Sequence, residues 1–154
     1  MRIRILLFML AIAMLMAGCG MEDINASNEV QTETEYDTYM TPIRKQSAAI
    51  KNTLENEELN QGQMNEKAME LYELWDGVLN ELWAELKTEL PEEDFSKLLD
   101  EQRQWIKDKE KAVEEAGKEY KDGSLYGLVI NMEAAKITEE RVYELYKILE
   151  GLNN

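Results

Sequence analysis

Histidine is absent from this chain of 154 residues. Without an imidazole, no Ser-His-Asp or Cys-His catalytic unit can be assembled. The usual catalytic zinc sites also lose their commonest ligand. Cysteine occurs once, at Cys19, so no disulfide within the chain is available and any fold must hold by packing. Proline is limited to Pro42 and Pro91, and glycine to eight positions, which excludes collagen-like and linker-rich chains. Positive charge is scarce: 17 Lys and Arg stand against 32 Asp and Glu, a net charge of −15. That sign disfavours nucleic-acid phosphates as a partner. The composition calls for no cofactor. The hydrophobic fraction of 44% is enough for a core, although the first 18 residues take an outsized share.

Those 18 residues read as an export signal. Arg2 and Arg4 precede an uncharged apolar run over residues 5–16, too short to span a bilayer comfortably. Ala17 and Gly18 then place two small side chains before Cys19, in the pattern of a bacterial lipobox, with Met16 where Leu is more usual. The expectation is cleavage between Gly18 and Cys19, lipidation of the Cys19 thiol, and a chain held on the outer side of the cell membrane by its acyl groups. Removing the signal takes two bases and no acid, so the net charge becomes −17.

Residues 19–41 follow as an expected acidic tether. Glu22, Asp23, Glu29, Glu33, Glu35 and Asp37 are unbalanced by any Lys or Arg, and apolar residues are few. Such a segment has little surface to bury. The domain expected after it, residues 42–154, keeps a charge of −11.

Within that domain the apolar spacing is helical, and no strand pattern stands out. Thr41-Pro42 is read as a helix start. Ile43, Ile50 and Leu54 make only a weak stripe after it, which leaves a short extra N-terminal helix open. A break is expected over residues 59–62. Met64, Ala68, Leu71, Trp75, Val78, Leu79, Leu82 and Leu86 step by threes and fours and predict a helix over about 63–90. Pro91 opens the next, with Glu92, Glu93 and Asp94 suited to its positive end. Its stripe is Phe95, Leu98, Leu99, Gln102, Trp105, Ile106 and Val113. A turn at residues 121–124 leads to a third helix over about 125–149, with Leu125, Leu128, Val129, Met132, Ala135, Val142, Leu145 and Leu149 inward. The fold class is therefore all-α, an antiparallel bundle of three long helices.

The polar residues within these stripes resemble the lysozyme inhibitor LprI-like family of small exported helical domains. The matching positions begin at Met64-Asn65 and continue through Asp76, Leu79-Asn80 and Trp83. The strongest run is Glu101-Gln102-Arg103-Gln104-Trp105-Ile106, against a Gln-Arg-x-Trp core in the family. Lys109 stands where the family usually has Arg; Gly123-Ser124 and the pair Thr138 and Arg141 complete the pattern, which covers about residues 63–149. The helix-stapling cysteines common in the family are missing. The resemblance implies a protein-binding domain, with a lysozyme-type muramidase as partner.

Two readings of these residues stand side by side. Asp76 and Asn80 lie one turn apart, so they share a helix face. With Gln102, Lys109 and Arg141 they form either an inter-helix network that fixes register or a partner-binding site. Trp105 reads as a core anchor. Gly123-Ser124 reads as a tight turn, with Ser124 capping the last helix or offered to a partner. The acid pairs Glu92/Glu93, Glu114/Glu115 and Glu139/Glu140 fall at helix starts or on solvated faces, without the enclosure that acid-base catalysis needs. The chain is expected not to be an enzyme. An envelope lipoprotein that inhibits lysozyme is the first reading. A non-inhibitory structural or adaptor lipoprotein, docked on another envelope protein, is the alternative.

Overall fold

A computed structural model describes residues 35–153. The export signal, the Gly18/Cys19 processing site and most of the tether lie outside the described residues. Four α-helices follow in order: α1 (Glu35–Asn56), α2 (Gln61–Glu89), α3 (Glu92–Gly117) and α4 (Tyr126–Asn153). A single 3₁₀ turn over Lys118–Tyr120 extends α3. Among the described residues there is no strand, and no helix is long and apolar enough to cross a membrane.

The extra N-terminal helix is neither short nor begun at Pro42. It runs for 22 residues from Glu35, and Pro42 lies inside it. An internal proline removes one main-chain donor and crowds the preceding turn. Packing outweighs that cost here. Met40 is fully buried and Ile50 nearly so. Tyr39 stacks on Tyr146 of α4, with ring centroids 6.2 Å apart, and its hydroxyl donates to Glu81 Oε2 on α2 at 3.0 Å. Residues 35–41, expected as the end of the tether, therefore belong to the bundle.

The start of α2 is set by a reciprocal cap. Asn60 Oδ1 accepts from Gln63 N at 3.1 Å, and Gln63 Oε1 accepts from Asn60 N at 2.9 Å. Two otherwise orphaned donors are satisfied together. The helix ends at Leu90, held back from going further by Pro91. No side chain caps α3, and three acids, Glu92, Glu93 and Asp94, fill its first turn in place of a cap.

Side-chain pairings fix the topology. Tyr72 meets Lys109 and Trp83 meets Phe95, so α3 runs antiparallel to α2. Asn65 meets Ser124 and Trp75 meets Tyr143, so α2 and α4 run parallel. Tyr39 meets Glu81, and Trp75 Nε1 donates to Ser47 Oγ at 3.2 Å, so α1 is antiparallel to both. The result is an up-down-up-down arrangement whose closest pair is α2 with α4. α1 covers this pair, with Lys51 bridging to Glu139 at 2.7 Å, and α3 packs along α4.

The predicted stripe of α2 is the core: Ala68, Leu71, Trp75, Val78, Leu79, Leu82 and Leu86 are all buried. From α4 come Ala135, Val142, Leu145, Tyr146 and Leu149. Burying each large aliphatic side chain contributes about 1.5–3 kcal/mol. Two stripe residues face outward instead. Ile106 and Leu125 are each 41% exposed. Ile106 sits one position beyond Trp105, which already covers the seam, and Leu125 precedes the first turn of α4.

Candidate functional site

The polar positions singled out in the sequence converge on one seam. Asn80 Nδ2 donates to Asp76 Oδ2 at 3.1 Å and to the Asp76 carbonyl at 2.8 Å. Asp76 Oδ1 accepts from the Tyr72 hydroxyl at 3.3 Å. Lys109 Nζ, on α3, donates to that same hydroxyl at 3.4 Å. The ammonium stands 5.2 Å from the centre of the Tyr72 ring and 5.0 Å from that of Trp105. Arg141, on α4, brings its guanidinium within 6.0 Å of the Trp105 ring. Its Nε donates to Gln102 Oε1 at 2.9 Å, and its Nη1 to Glu144 Oε2 at 2.8 Å.

Trp105 is thus the meeting point of two cations from different helices. Each such contact is worth about 0.5–1 kcal/mol where water has partial access. Gln102 and Arg141 are buried, while Trp105, Lys109, Tyr72 and Asp76 are half-buried. Tyr72 was not foreseen, because its hydroxyl is the only polar part of a residue lying beside the apolar stripe. Burial first, then the charge and hydrogen bond of Asp76, push its phenol above the ordinary range. The donors and acceptors of this chain are turned mostly toward one another. Its chemistry is that of a clasp joining α2, α3 and α4 rather than of a reactive centre. Two polar atoms in the neighbourhood stand apart: Thr138 Oγ1 and Arg141 Nη2 are buried with no hydrogen-bond partner among the described residues. Nor do the described residues include any group of three or more His, Cys, Asp or Glu placed to hold a metal ion.

The Gly123-Ser124 position forms a second site at one end of the bundle. Gly123 N donates to the Tyr120 carbonyl at 2.8 Å, and Tyr126 N to the Gly123 carbonyl at 3.2 Å. Ser124 does not cap α4 with its hydroxyl, because the helix starts two residues later and Leu125 occupies the flanking position. Ser124 contributes its main-chain carbonyl, which accepts from Asn65 Nδ2 of α2 at 3.1 Å. Asn65 is itself held by Gln61 Nε2 at 2.9 Å.

Two glycines let the turn lie close to the bundle. A Cβ at Gly117 would meet Ile130 Cγ2 at 2.6 Å and Tyr126 Cε2 at 2.8 Å. A Cβ at Gly127 would press on the Asn65 side chain at 3.3 Å. Both are therefore close-packing points. Residues 118–125 are all exposed and line an open depression of about 290 Å³. Tyr120 is 39% exposed. Lys118 is drawn back toward Glu115 at 3.5 Å.

Of the tryptophans, Trp75 is fully buried against Tyr143, and Trp83 is half-buried at the seam edge against Phe95, 5.2 Å between centroids.

A family model described as lysozyme inhibitor LprI matches residues 52–145. No curated protein and no solved structure matches the chain.

Proposed function

The chain belongs to the lysozyme inhibitor LprI family, and from that membership we propose that its bundle binds a lysozyme-type muramidase outside the cell membrane and blocks it. The family is one of inhibitors, not of enzymes. In this reading Cys19 carries the lipid, residues 20–34 form the spacer, and the bundle begins at Glu35.

The observation that carries the reading is the clamped turn. An exposed loop is normally free to vary. Here Asn65 Nδ2 holds the Ser124 carbonyl at 3.1 Å, and Gly117 and Gly127 seat the flanking chain tightly. A loop already fixed in one shape loses little conformational freedom when it enters a cleft. Residues of the family pattern (Asn65, Gly123 and Ser124) are spent on fixing an exposed turn, where the core gains nothing from them. Charge supports the same partner: a bundle that begins at Glu35 carries −13, which attracts basic lysozymes over long range and speeds encounter.

The test is turnover of cell-wall substrate by lysozymes of different classes. The inhibitor is the chain from residue 19 onward, in molar excess, with Cys19→Ser for solubility. Inhibition that survives physiological salt supports the proposal, and full turnover throughout removes it. Lipidation is tested separately, by metabolic labelling with an alkynyl fatty acid: label on the natural chain and none on Cys19→Ser is the expected result.

One observation favours the adaptor reading. Apart from the exposed Asn80, the Asp76–Tyr72–Lys109–Trp105–Arg141–Gln102 chain is buried or half-buried and its members bind one another, so most of the family pattern maintains the bundle. An envelope extract that yields one salt-resistant partner other than a muramidase, with no inhibition, establishes that role instead.

A further inference from the structure

We propose that Tyr120 and Lys121 are the residues that enter the muramidase's sugar-binding cleft, with the Lys121 ammonium directed at the pair of carboxylates that perform glycoside hydrolysis there. This rests on the inhibitor reading above and specifies how inhibition is achieved.

Three features select these two side chains. The first is position. They follow the end of α3, at the head of the turn that Gly123 closes back onto the Tyr120 carbonyl at 2.8 Å. Their main chain is thus anchored while their side chains face solvent. The second is availability. Lys118, the other base of the turn, is engaged by Glu115, whereas Lys121 has no ion pair among the described residues. A partner can take up the Lys121 ammonium without breaking any internal contact. The third is chemical fit. Retaining glycosidases of the lysozyme type hold two carboxyl groups about 5–5.5 Å apart on either side of the bond they cut. A single ammonium on a four-carbon stem can approach both. An exposed phenol ring beside it offers the flat apolar face and polar tip that suit a sugar subsite. The turn itself is balanced, Lys118 and Lys121 against Glu119 and Asp122, so the domain's negative charge acts on encounter and the single Lys121 ammonium on docking.

Asp122 supplies an internal control. It adjoins Lys121, and its charge opposes approach to carboxylates. Two neighbouring exposed residues should therefore change inhibition in opposite directions, which a merely structural turn would not produce.

The experiment measures inhibition of a c-type lysozyme by the chain from residue 19, carrying Cys19→Ser, at low and physiological salt. Lys121→Gln and Tyr120→Ala should each weaken inhibition about ten-fold or more, and Asp122→Asn should strengthen it about three-fold. Inhibition should be competitive, raising KM with kcat unchanged, and should be relieved by an N-acetylglucosamine oligomer. Circular dichroism and urea midpoints should be unaltered, since all three side chains are exposed. If the unaltered chain inhibits and Lys121→Gln inhibits equally, the assignment is overturned while the inhibitor reading survives. If the unaltered chain inhibits nothing, both fall together.

Discussion

Gln102 on α3 accepts a 2.9 Å hydrogen bond from Arg141 Nε on α4, and both residues are buried. Removing only the acceptor leaves part of a guanidinium enclosed without compensation. Gln102→Leu should therefore cost about 2–4 kcal/mol. Adding Arg141→Met should recover much of that loss, because the enclosed charge goes with it. Urea midpoints of the two single variants and the double variant give the comparison; additive losses would contradict the pairing.

Gly117 and Gly77 should answer alanine in opposite ways. At Gly117 the new methyl would lie 2.6 Å from Ile130 Cγ2, so Gly117→Ala should destabilise by about 1–3 kcal/mol. At Gly77, mid-helix in α2, nothing lies within 4 Å of the added carbon. Gly77→Ala should stabilise by about 0.5–1 kcal/mol. Thermal melts of both variants provide the check.

Thr138 presents the reverse of a satisfied core hydroxyl. Its Oγ1 is buried with no partner among the described residues. Thr138→Val keeps the branched shape and removes the desolvated polar atom, and should stabilise the fold by about 1 kcal/mol. A fall of similar size in chemical denaturation would show that the hydroxyl is paired in solution.

The indole of Trp75 tests the standing of α1. Its Nε1 donates to Ser47 Oγ in the core. Ser47→Ala strands that donor and should cost about 1–2 kcal/mol. A chain beginning at residue 52, where the family match starts, loses Met40, Ser47 and Ile50 together. It should bind a hydrophobic dye such as ANS, whereas one beginning at residue 35 should not.

Tyr39 confers a pH dependence at the alkaline end. Burial, the hydrogen bond to Glu81, and the charges of Glu81 and Glu85 all hold its phenol above the ordinary range. In the unfolded chain the proton leaves near pH ~10. The folded state retains it longer, so the associated stabilisation is complete below that pH and is lost as pH climbs through the folded value. Tyr39→Phe should flatten the decline in urea midpoint between about pH 9 and 12. An identical slope in both proteins would exclude the linkage.

Much of this arrangement was legible from residue spacing, and the exceptions have identifiable causes. The stripes of α2 and α4 were readable because long runs of Leu, Val and Trp at helical spacing leave one solution. α1 was half-hidden: its buried residues, Met40, Ser47 and Ile50, are far apart and include a serine, and Pro42 imitates a start signal. The break expected over residues 59–62 is present as the link over residues 57–60, but the Asn60/Gln63 cap that ends it was not foreseen, because its amides act locally and carry no periodic signal. At the seam, Asp76, Asn80, Gln102, Lys109 and Arg141 stood out as polar members of the family pattern, and Trp105 as an aromatic on the apolar stripe. That they link through Tyr72 depends on how α2 and α3 lie side by side, which one helix's spacing does not encode. The clamp from Asn65 onto Ser124 is likewise a contact between residues 59 apart in the chain.

The chain enters the bundle at the end where Tyr39 meets Glu81 and Tyr146, while Asn65 fastens the Ser124 turn at the other. Sixteen helical residues of α2 separate these two poles, about 24 Å at 1.5 Å per residue. The Tyr120 turn therefore lies at the pole of the bundle away from the one where Tyr39 packs, so a partner seated on the turn leaves the Tyr39 pole uncovered.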